Sequence, residues 1–294
     1  MSQKAVEAEL GIIGGSGLYE LAMLGDPREV ELSTPYGNPS DVVVLGELNG
    51  RSVAFLPRHG RAHQLSPSEV PAAANIYALK YLGVTEIVSV SAVGSLRTEL
   101  RPGDFVVPDQ LVDLTRSRRL SSFFTNGAVA HLPFADPYCG RLRPLLIDVA
   151  HRVLGATVHD AGTYLCIEGP QFSTRAESEL YRSWGMDIIG MTAVPEAKLA
   201  REAGICFAIL ALVTDYDCWR RDEQTVTADM VAAVMHGNVT AAQVAIGSFA
   251  QTAPRGQACA CRDALAEAIL SDSSSVPEEV RNRLNLLAGR YLNV

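Results

Sequence analysis

The sequence is short of the features that mark secreted, membrane-spanning or nucleic-acid-binding chains. Six cysteines among 294 residues are too sparse for a disulfide scaffold, and Cys139, Cys166, Cys206 and Cys218 stand in apolar surroundings typical of reduced core thiols. Cys259-Ala-Cys261 is a close pair that suits redox chemistry or a metal. No second Cys or His pair stands near it in the sequence, so no metal site is expected. Long apolar runs are missing too: the longest, residues 205–213, has nine residues, about half of what a bilayer-spanning helix requires. Basic residues are in deficit, 25 against 33 acidic ones. The net charge of −8 argues against a nucleic-acid partner, which needs a clustered positive surface. The opening MSQKAVEAELGII carries acidic side chains where a signal peptide needs its apolar stretch, so a cytoplasmic protein with no membrane contact is expected.

What the chain does contain is 48% hydrophobic residues against 20% charged ones, enough for a sizeable core. Residues 9–15 read as a short buried strand ending in glycines, and 41–48 and 51–56 flank Asn49-Gly50, the strongest short hairpin signal. Residues 66–82 place Val70, Ala73, Ala74, Tyr77, Ala78 and Tyr81 on one helical face, and Gly83 ends the pattern before the β-rich run 84–91. Further strands are expected at 104–107, 162–167, 186–190 and 205–213. They alternate with helices at about 137–154, 175–184, 195–203 and 228–249, and Thr174-Arg-Ala-Glu177 fits a capping box. Such alternation predicts an α/β fold of three layers, a mixed and mostly parallel sheet flanked by helices. One domain over residues 1–250 is expected. A tail over 251–294 follows, in which Val280, Leu284, Leu287 and Tyr291 form an apolar stripe for docking on the core.

In folds of this class ligands sit in the loops beyond the strand ends. The first strand runs into Gly14-Gly15-Ser16-Gly17, a composition suited to an anion: glycines let backbone N–H groups come close and the serine hydroxyl donates. It departs from G-x-G-x-x-G, because Glu20 stands where the third glycine belongs, and it lacks the lysine of a Walker loop. The second hairpin strand ends in Arg58-His59-Gly60-Arg61-Ala62-His63. Arg can grip an oxyanion bidentately and His can donate to it, although a solvated turn accounts for that stretch equally well. Ser91-Ala92-Val93-Gly94-Ser95 and Met191-Thr192 follow other strands. Hydroxyls and an Arg-His pair, each at a strand end, describe one oxyanion pocket. After the last long strand comes Thr214-Asp215-Tyr216-Asp217-Cys218-Trp219, whose two carboxylates point the same way if the strand continues. A turn-capping role accounts for one aspartate. Both need partners if buried, and a ligand with an amine and a ring nitrogen would supply them.

The segments GIIGGSGLYEL, LPRHGRAH, SAVGSL, HLPFADPYC, IEGPQFSTRAE, IIGMTAVPEAKLA and VTDYDCW occur in this order. Together they closely resemble the methylthioadenosine phosphorylase branch of the trimeric purine nucleoside phosphorylases, over about residues 10–250. The resemblance implies a pentosyltransferase of purine and methionine salvage, in which inorganic phosphate attacks C1′ of methylthioadenosine and releases adenine and 5-methylthioribose 1-phosphate. It implies phosphate as co-substrate, no metal or organic cofactor, and a homotrimer with shared active sites. The family's phosphate contacts fall on Ser16 (often Thr in the family), Arg58, His59, Ser91, the Ala92 backbone N–H and Thr192. Phe172 would stack on the purine, with Ser173, Thr214, Asp215 and Asp217 around it, and Asp215, assisted by Asp217, would protonate N7. Met191 would lie against the ribose. Val231 stands where 6-oxopurine relatives carry a His for the 5′-hydroxyl, and His131 would reach the 5′ end of a neighbouring subunit's substrate.

Two rival activities follow from the same residues. A 6-oxopurine nucleoside or methylthioinosine phosphorylase is disfavoured by Asp215, an acceptor that repels a second acceptor at O6, and by the apolar Val231. A nucleotide-binding dehydrogenase lacks its glycine fingerprint. A non-catalytic binding module would not need paired aspartates beside an anion pocket.

Overall fold

The structure is a computed structural model that describes residues 7–15, 18, 23–116, 119–220 and 227–292. Eleven described strands form one mixed sheet. Its centre is built from the most apolar runs: β1 (Leu10–Gly14) is buried throughout and runs parallel to β4 (Arg51–Pro57) on one side and β5 (Glu86–Ser95) on the other. β3 (Val43–Leu48) folds back on β4 through Asn49 and Gly50, whose φ values of 50° and 79° are the left-handed pair that a tight hairpin needs. The exposed β2 (Gly25–Val30) closes that edge.

On its other side β5 runs parallel to β11 (Cys206–Asp215) over nearly its whole length. It pairs with β1 only as far as Ser89 and with the antiparallel β10 (Ile188–Gly190) only from Gly94, so its 90–93 stretch lies between those two pairings. β9 (Thr163–Ile167) and β7 (Gln110–Leu114) continue the parallel sheet beyond β10, while the short β6 (Phe105–Val106) and β8 (Val158–His159) extend it beyond β11. The gap along β5 is where the sheet opens.

Helices cover both faces. α1 (Ala72–Tyr81), α4 (Ala193–Glu202) and α6 (Glu278–Leu292) contribute to one buried cluster, and α2 (Leu142–Leu154) and α5 (Ala228–Thr252) to the other. α3 (Arg175–Ser183) starts on the expected capping box: Thr174 accepts from the Glu177 N–H while the Glu177 carboxylate accepts from the Thr174 N–H. Val280, Leu284, Leu287 and Leu292 of α6 are buried against the core and Tyr291 is partly so. No single described helix is long and apolar enough to cross a membrane. The two segments of α5, bent by 41°, would suffice only by length and composition, and Ala242, Ala245, Ile246 and Phe249 of that helix are buried in the core.

Two expectations need correction. The helix expected over 66–82 begins only at Ala72, because Pro67 and Pro71 lack backbone N–H donors and Pro71 stands at the cap; residues 66–71 form a loop instead. The strands β2 and β7 carry no strand signal in the sequence because neither shows alternating burial: β2 is exposed along most of its length and β7 is intermediate at four of five positions.

Candidate active site

At the opening beside β5 lies a cavity of about 840 Å³. Its walls come from segments far apart in sequence: the 58–69 loop after β4, the carboxyl half of β5, the loops after β9, β10 and β11, and one face of α5. The expected residues Arg58, His59, Ser91, Ala92, Met191 and Thr192 line it, as do Phe172, Ser173, Thr214, Asp215, Asp217 and Val231. Ser16 lies outside the described residues. His131 lines a separate cavity together with Tyr138 and Arg141.

The anion side is built from a buried cation held in place. Arg58 is 1% exposed; its Nε donates to Glu196 Oε1 (2.5 Å) and its Nη2 to Glu196 Oε2 (3.1 Å) and Ser89 Oγ (2.6 Å). Its Nη1 donates to the Val90 carbonyl at 3.0 Å, in the 90–93 stretch of β5. The simple expectation of a bidentate grip through the guanidinium fork is therefore corrected: that edge is committed to Glu196, and what remains for an anion is a second Nη1 N–H. Gly15 is required here, since a Cβ would come within 2.8 Å of Arg58 Nη1 and 2.6 Å of the Val90 carbonyl.

Around this cation sit hydroxyls. Ser91 Oγ is 3.0 Å from Thr192 Oγ1 and 3.1 Å from the Tyr164 hydroxyl. Burial pushes Tyr164 up to about 12, so its phenol keeps its proton and can donate. Tyr164 reaches this position under Gly190, where any Cβ would overlap its hydroxyl. His59 is a neutral imidazole, lowered from 6.5 to about 4 by burial and then by Arg58. Its Nδ1 donates to the Leu65 carbonyl at 2.8 Å and its ring stacks on His63. In that tautomer Nε2 is an acceptor, so the expected donation from His59 to an anion holds only once the imidazole takes up a proton.

The carboxylates meet, but not by the route the sequence implied. β11 ends at Asp215 with a register shift after Val213, and Asp217 has a left-handed φ of 50°, so the strand does not continue. They are joined by a turn in which the Asp217 N–H donates to Asp215 Oδ1 (2.7 Å), while Thr214 Oγ1 donates to Asp215 Oδ2 (2.7 Å) and also contacts the Val93 carbonyl (3.2 Å). A Cβ at Gly94 would crowd Asp215 Oδ1 at 2.9 Å, so the glycine admits the carboxylate. Burial pushes the Asp217 carboxyl above its ordinary value. Its Oδ2 and the Ser173 Oγ are buried without a partner among the described residues. Phe172 is 47% exposed, a large apolar ring on the cavity wall. Beyond it Val231, Met235 and Val239 give α5 an apolar face toward the same space.

Several residues that build this site were not singled out from the sequence. Glu196 was visible inside AVPEAKLA, but only the fold puts it against Arg58. Arg119 donates to the carbonyls of Glu168 (2.6 Å), Met191 (2.5 Å) and Val194 (3.0 Å), fixing the loop that carries Thr192, and nothing local announces that role.

A buried Arg beside three hydroxyls and paired aspartates thus line one cavity with an aromatic wall. The family model of the phosphorylase superfamily matches residues 9–250. This chain belongs to the phosphorylase superfamily. As a phosphorylase it is 51% identical over 287 residues to the S-methyl-5′-thioadenosine phosphorylase of Geobacter sulfurreducens, covering 98% of this chain and 100% of that one. The crystal structure of a methylthioadenosine phosphorylase sourced from an antarctic soil metagenomic library superposes on this phosphorylase with a TM-score of 0.89 at 52% identity, over 96% of this chain and 99% of that one. The methylthioadenosine phosphorylase of Schistosoma mansoni, in complex with adenine, gives a TM-score of 0.79 at 38% identity, over 83% and 90% of the two chains.

Proposed function

We propose that this phosphorylase is a pentosyltransferase that splits 5′-methylthioadenosine with inorganic phosphate into adenine and 5-methylthioribose 1-phosphate, in purine and methionine salvage. The observation that carries the reading is a single cavity holding Arg58, Ser91 and Thr192 at one end and Phe172, Asp215 and Asp217 at the other. The relatives' names and their likeness over nearly the whole chain support the same substrate.

Phosphate binds against the Arg58 Nη1 edge, the Ser91 and Thr192 hydroxyls and the backbone at Ala92 in the 90–93 stretch of β5, and His59 holds one proton of the pair it makes with the anion; the family resemblance adds Ser16 as a further contact. Phosphate oxygens face the cationic ribose as the glycosidic bond lengthens. The leaving purine gains negative charge, and the Asp215–Asp217 pair delivers a proton toward N7. Asp215 makes the contact to the base, and burial raises the Asp217 carboxyl so that it holds a proton more readily than an ordinary carboxylate, which lets the pair act as one reservoir. Phe172 stacks on the purine and Ser173 and Thr214 border its edge, Met191 lies along the ribose, and Val231 packs on the methylthio group. A carbonyl at C6 would meet Asp215 as a second acceptor, which disfavours 6-oxopurines.

We also propose residues 1–250 as the phosphorylase domain, 251–294 as a docked tail, a cytoplasmic homotrimer with His131 serving a neighbouring subunit, and no organic cofactor. The deciding assay follows adenine release from methylthioadenosine with and without phosphate. Adenine release that requires phosphate is expected. Release without phosphate, or faster release of hypoxanthine from inosine or methylthioinosine, would overturn the assignment.

A further inference from the structure

Cys139, Cys206, Cys259 and Cys261 come together at the end of β11 away from their own chain's active site, with all four sulfurs within 4.8 Å of one another. The second pair that Cys259-Ala-Cys261 lacks in sequence is thus supplied in space. Cys139 lies in the turn leading into α2, Cys206 is the first residue of β11, and Cys259 and Cys261 belong to the segment between α5 and α6. Asp215 is at the opposite end of β11, about 30 Å away at about 3.3 Å per residue.

We infer that these four thiols form a tetrahedral zinc site that ties the C-terminal segment to the base of the sheet. A metal held by four sulfurs at about 2.3 Å sets them about 3.8 Å apart, and Cys139 Sγ and Cys259 Sγ stand 3.5 Å apart. The donor set, four soft sulfurs, is the one that zinc takes in closed structural sites. Around it are the groups a thiolate cluster requires. The Leu142 N–H donates to Cys139 Sγ (3.3 Å) and Arg141 Nη2 lies 3.5 Å from Cys206 Sγ, so one backbone donor and one cation face sulfurs that carry negative charge once metallated. Binding exchanges the four thiol protons, released to solvent, for one divalent ion and leaves a net charge of −2, which Arg141 partly offsets. Three of the cysteines are buried, whereas Cys259 is half-buried and borders a cavity of about 790 Å³, a route by which an ion can enter.

The full-length enzyme, purified without chelator, is expected to hold one zinc per chain by elemental analysis. After reduction and chelation, titration with Co2+ alone should saturate at one equivalent, with the strong d–d bands of tetrahedral cobalt and a sulfur-to-metal charge-transfer band of four thiolates. Cys259→Ser/Cys261→Ser should abolish that spectrum and lower the melting temperature, leaving kcat for methylthioadenosine unchanged below the melting range. Should the variant fail to fold, the wild-type cobalt spectrum decides. Four freely reactive thiols with no cobalt bound would overturn the site, and so would a mass four hydrogens lower, the mark of two disulfides in place of the metal.

Discussion

At the scale of single residues the site is governed by which groups carry protons. His59 is held neutral by burial and by Arg58, and its Nδ1–H is spent on the Leu65 carbonyl. Phosphate binding must then bring one proton with it, either on the monoanion or onto His59. Raising the pH past the second ionisation of phosphate is therefore expected to raise the phosphate KM about tenfold per unit, and His59→Ala should flatten that slope while raising KM throughout. Initial rates against phosphate at several pH values test this; a pH-independent wild-type KM refutes it. The aspartates make a separate prediction. Asp215→Asn, which loses the donor to N7, should lower kcat by about a hundred-fold or more, and Asp217→Asn should shift the basic limb of the kcat profile with a smaller loss. Identical profiles for wild type and Asp217→Asn would remove Asp217 from the proton reservoir.

Glu202 extends the same reasoning to stability. Its carboxylate accepts from the Phe123 N–H at 2.6 Å, yet burial raises it from 4.5 to about 7. A raised folded value means that the stability it contributes is complete below pH 4.5 and is lost as the pH climbs through 7. At about 1.4 kcal/mol per unit the loss is about 3 kcal/mol. Glu202→Gln keeps an acceptor for Phe123 without the titration, so it should equal or exceed wild type in denaturant unfolding at pH 8 and lose that advantage at pH 5.

At the scale of elements, two local structures deliver side chains into the cavity and each can be tested by itself. The Thr174 capping box starts α3 directly after Phe172 and Ser173. Thr174→Ala should cost about 1 kcal/mol of stability and raise the nucleoside KM several-fold with the phosphate KM unmoved, because only the purine wall loses its anchor. Gly190 has the opposite logic: its missing side chain is what lets the Tyr164 hydroxyl reach Ser91 and Thr192. Gly190→Ala should destabilise by about 1–3 kcal/mol and weaken phosphate, and Tyr164→Phe on that background should recover part of the stability, since the ring Cζ still lies 2.7 Å from the new Cβ, without recovering phosphate affinity. This capping box was legible in four consecutive letters, as was the Asn49-Gly50 hairpin, since both act through backbone within a few residues. The start of α1 is hidden in the sequence, because the apolar spacing runs on through Val70 although Pro67 and Pro71 hold the helix back to Ala72. The relation between Gly190 and Tyr164 had no local signal at all; it exists only where β9 and β10 pair.

At the scale of the whole molecule, the order of motifs identified the strand ends, but their convergence is a property of the sheet. Arg58, Thr192 and Asp215 lie at three different strand ends, whereas Ser91 lies inside β5, which continues to Ser95 past the end expected at residue 91; the four meet because β5 changes neighbours between Ser89 and Gly94. The Glu196 pairing and the four-cysteine cluster were hidden by separations of 138 residues between Arg58 and Glu196 and 120 between Cys139 and Cys259. His131 tests the next level. It is exposed, its N–H donates to the Ala268 carbonyl, and it lines a cavity other than its own chain's active site. If each site borrows His131 from a neighbour, His131→Ala and Asp215→Asn homo-oligomers should both be impaired, each lacking one component in every site. Co-expressed in equal amounts, they assemble at random, and a site whose cavity comes from a His131→Ala chain and whose His131 comes from an Asp215→Asn chain is intact. With independent partners that combination arises in about one site in four, so the mixture should recover about a quarter of wild-type kcat, with the trimer mass measured by light scattering. Recovery is impossible if His131 serves its own chain or the protein is monomeric, because every cavity would then keep one of the two defects.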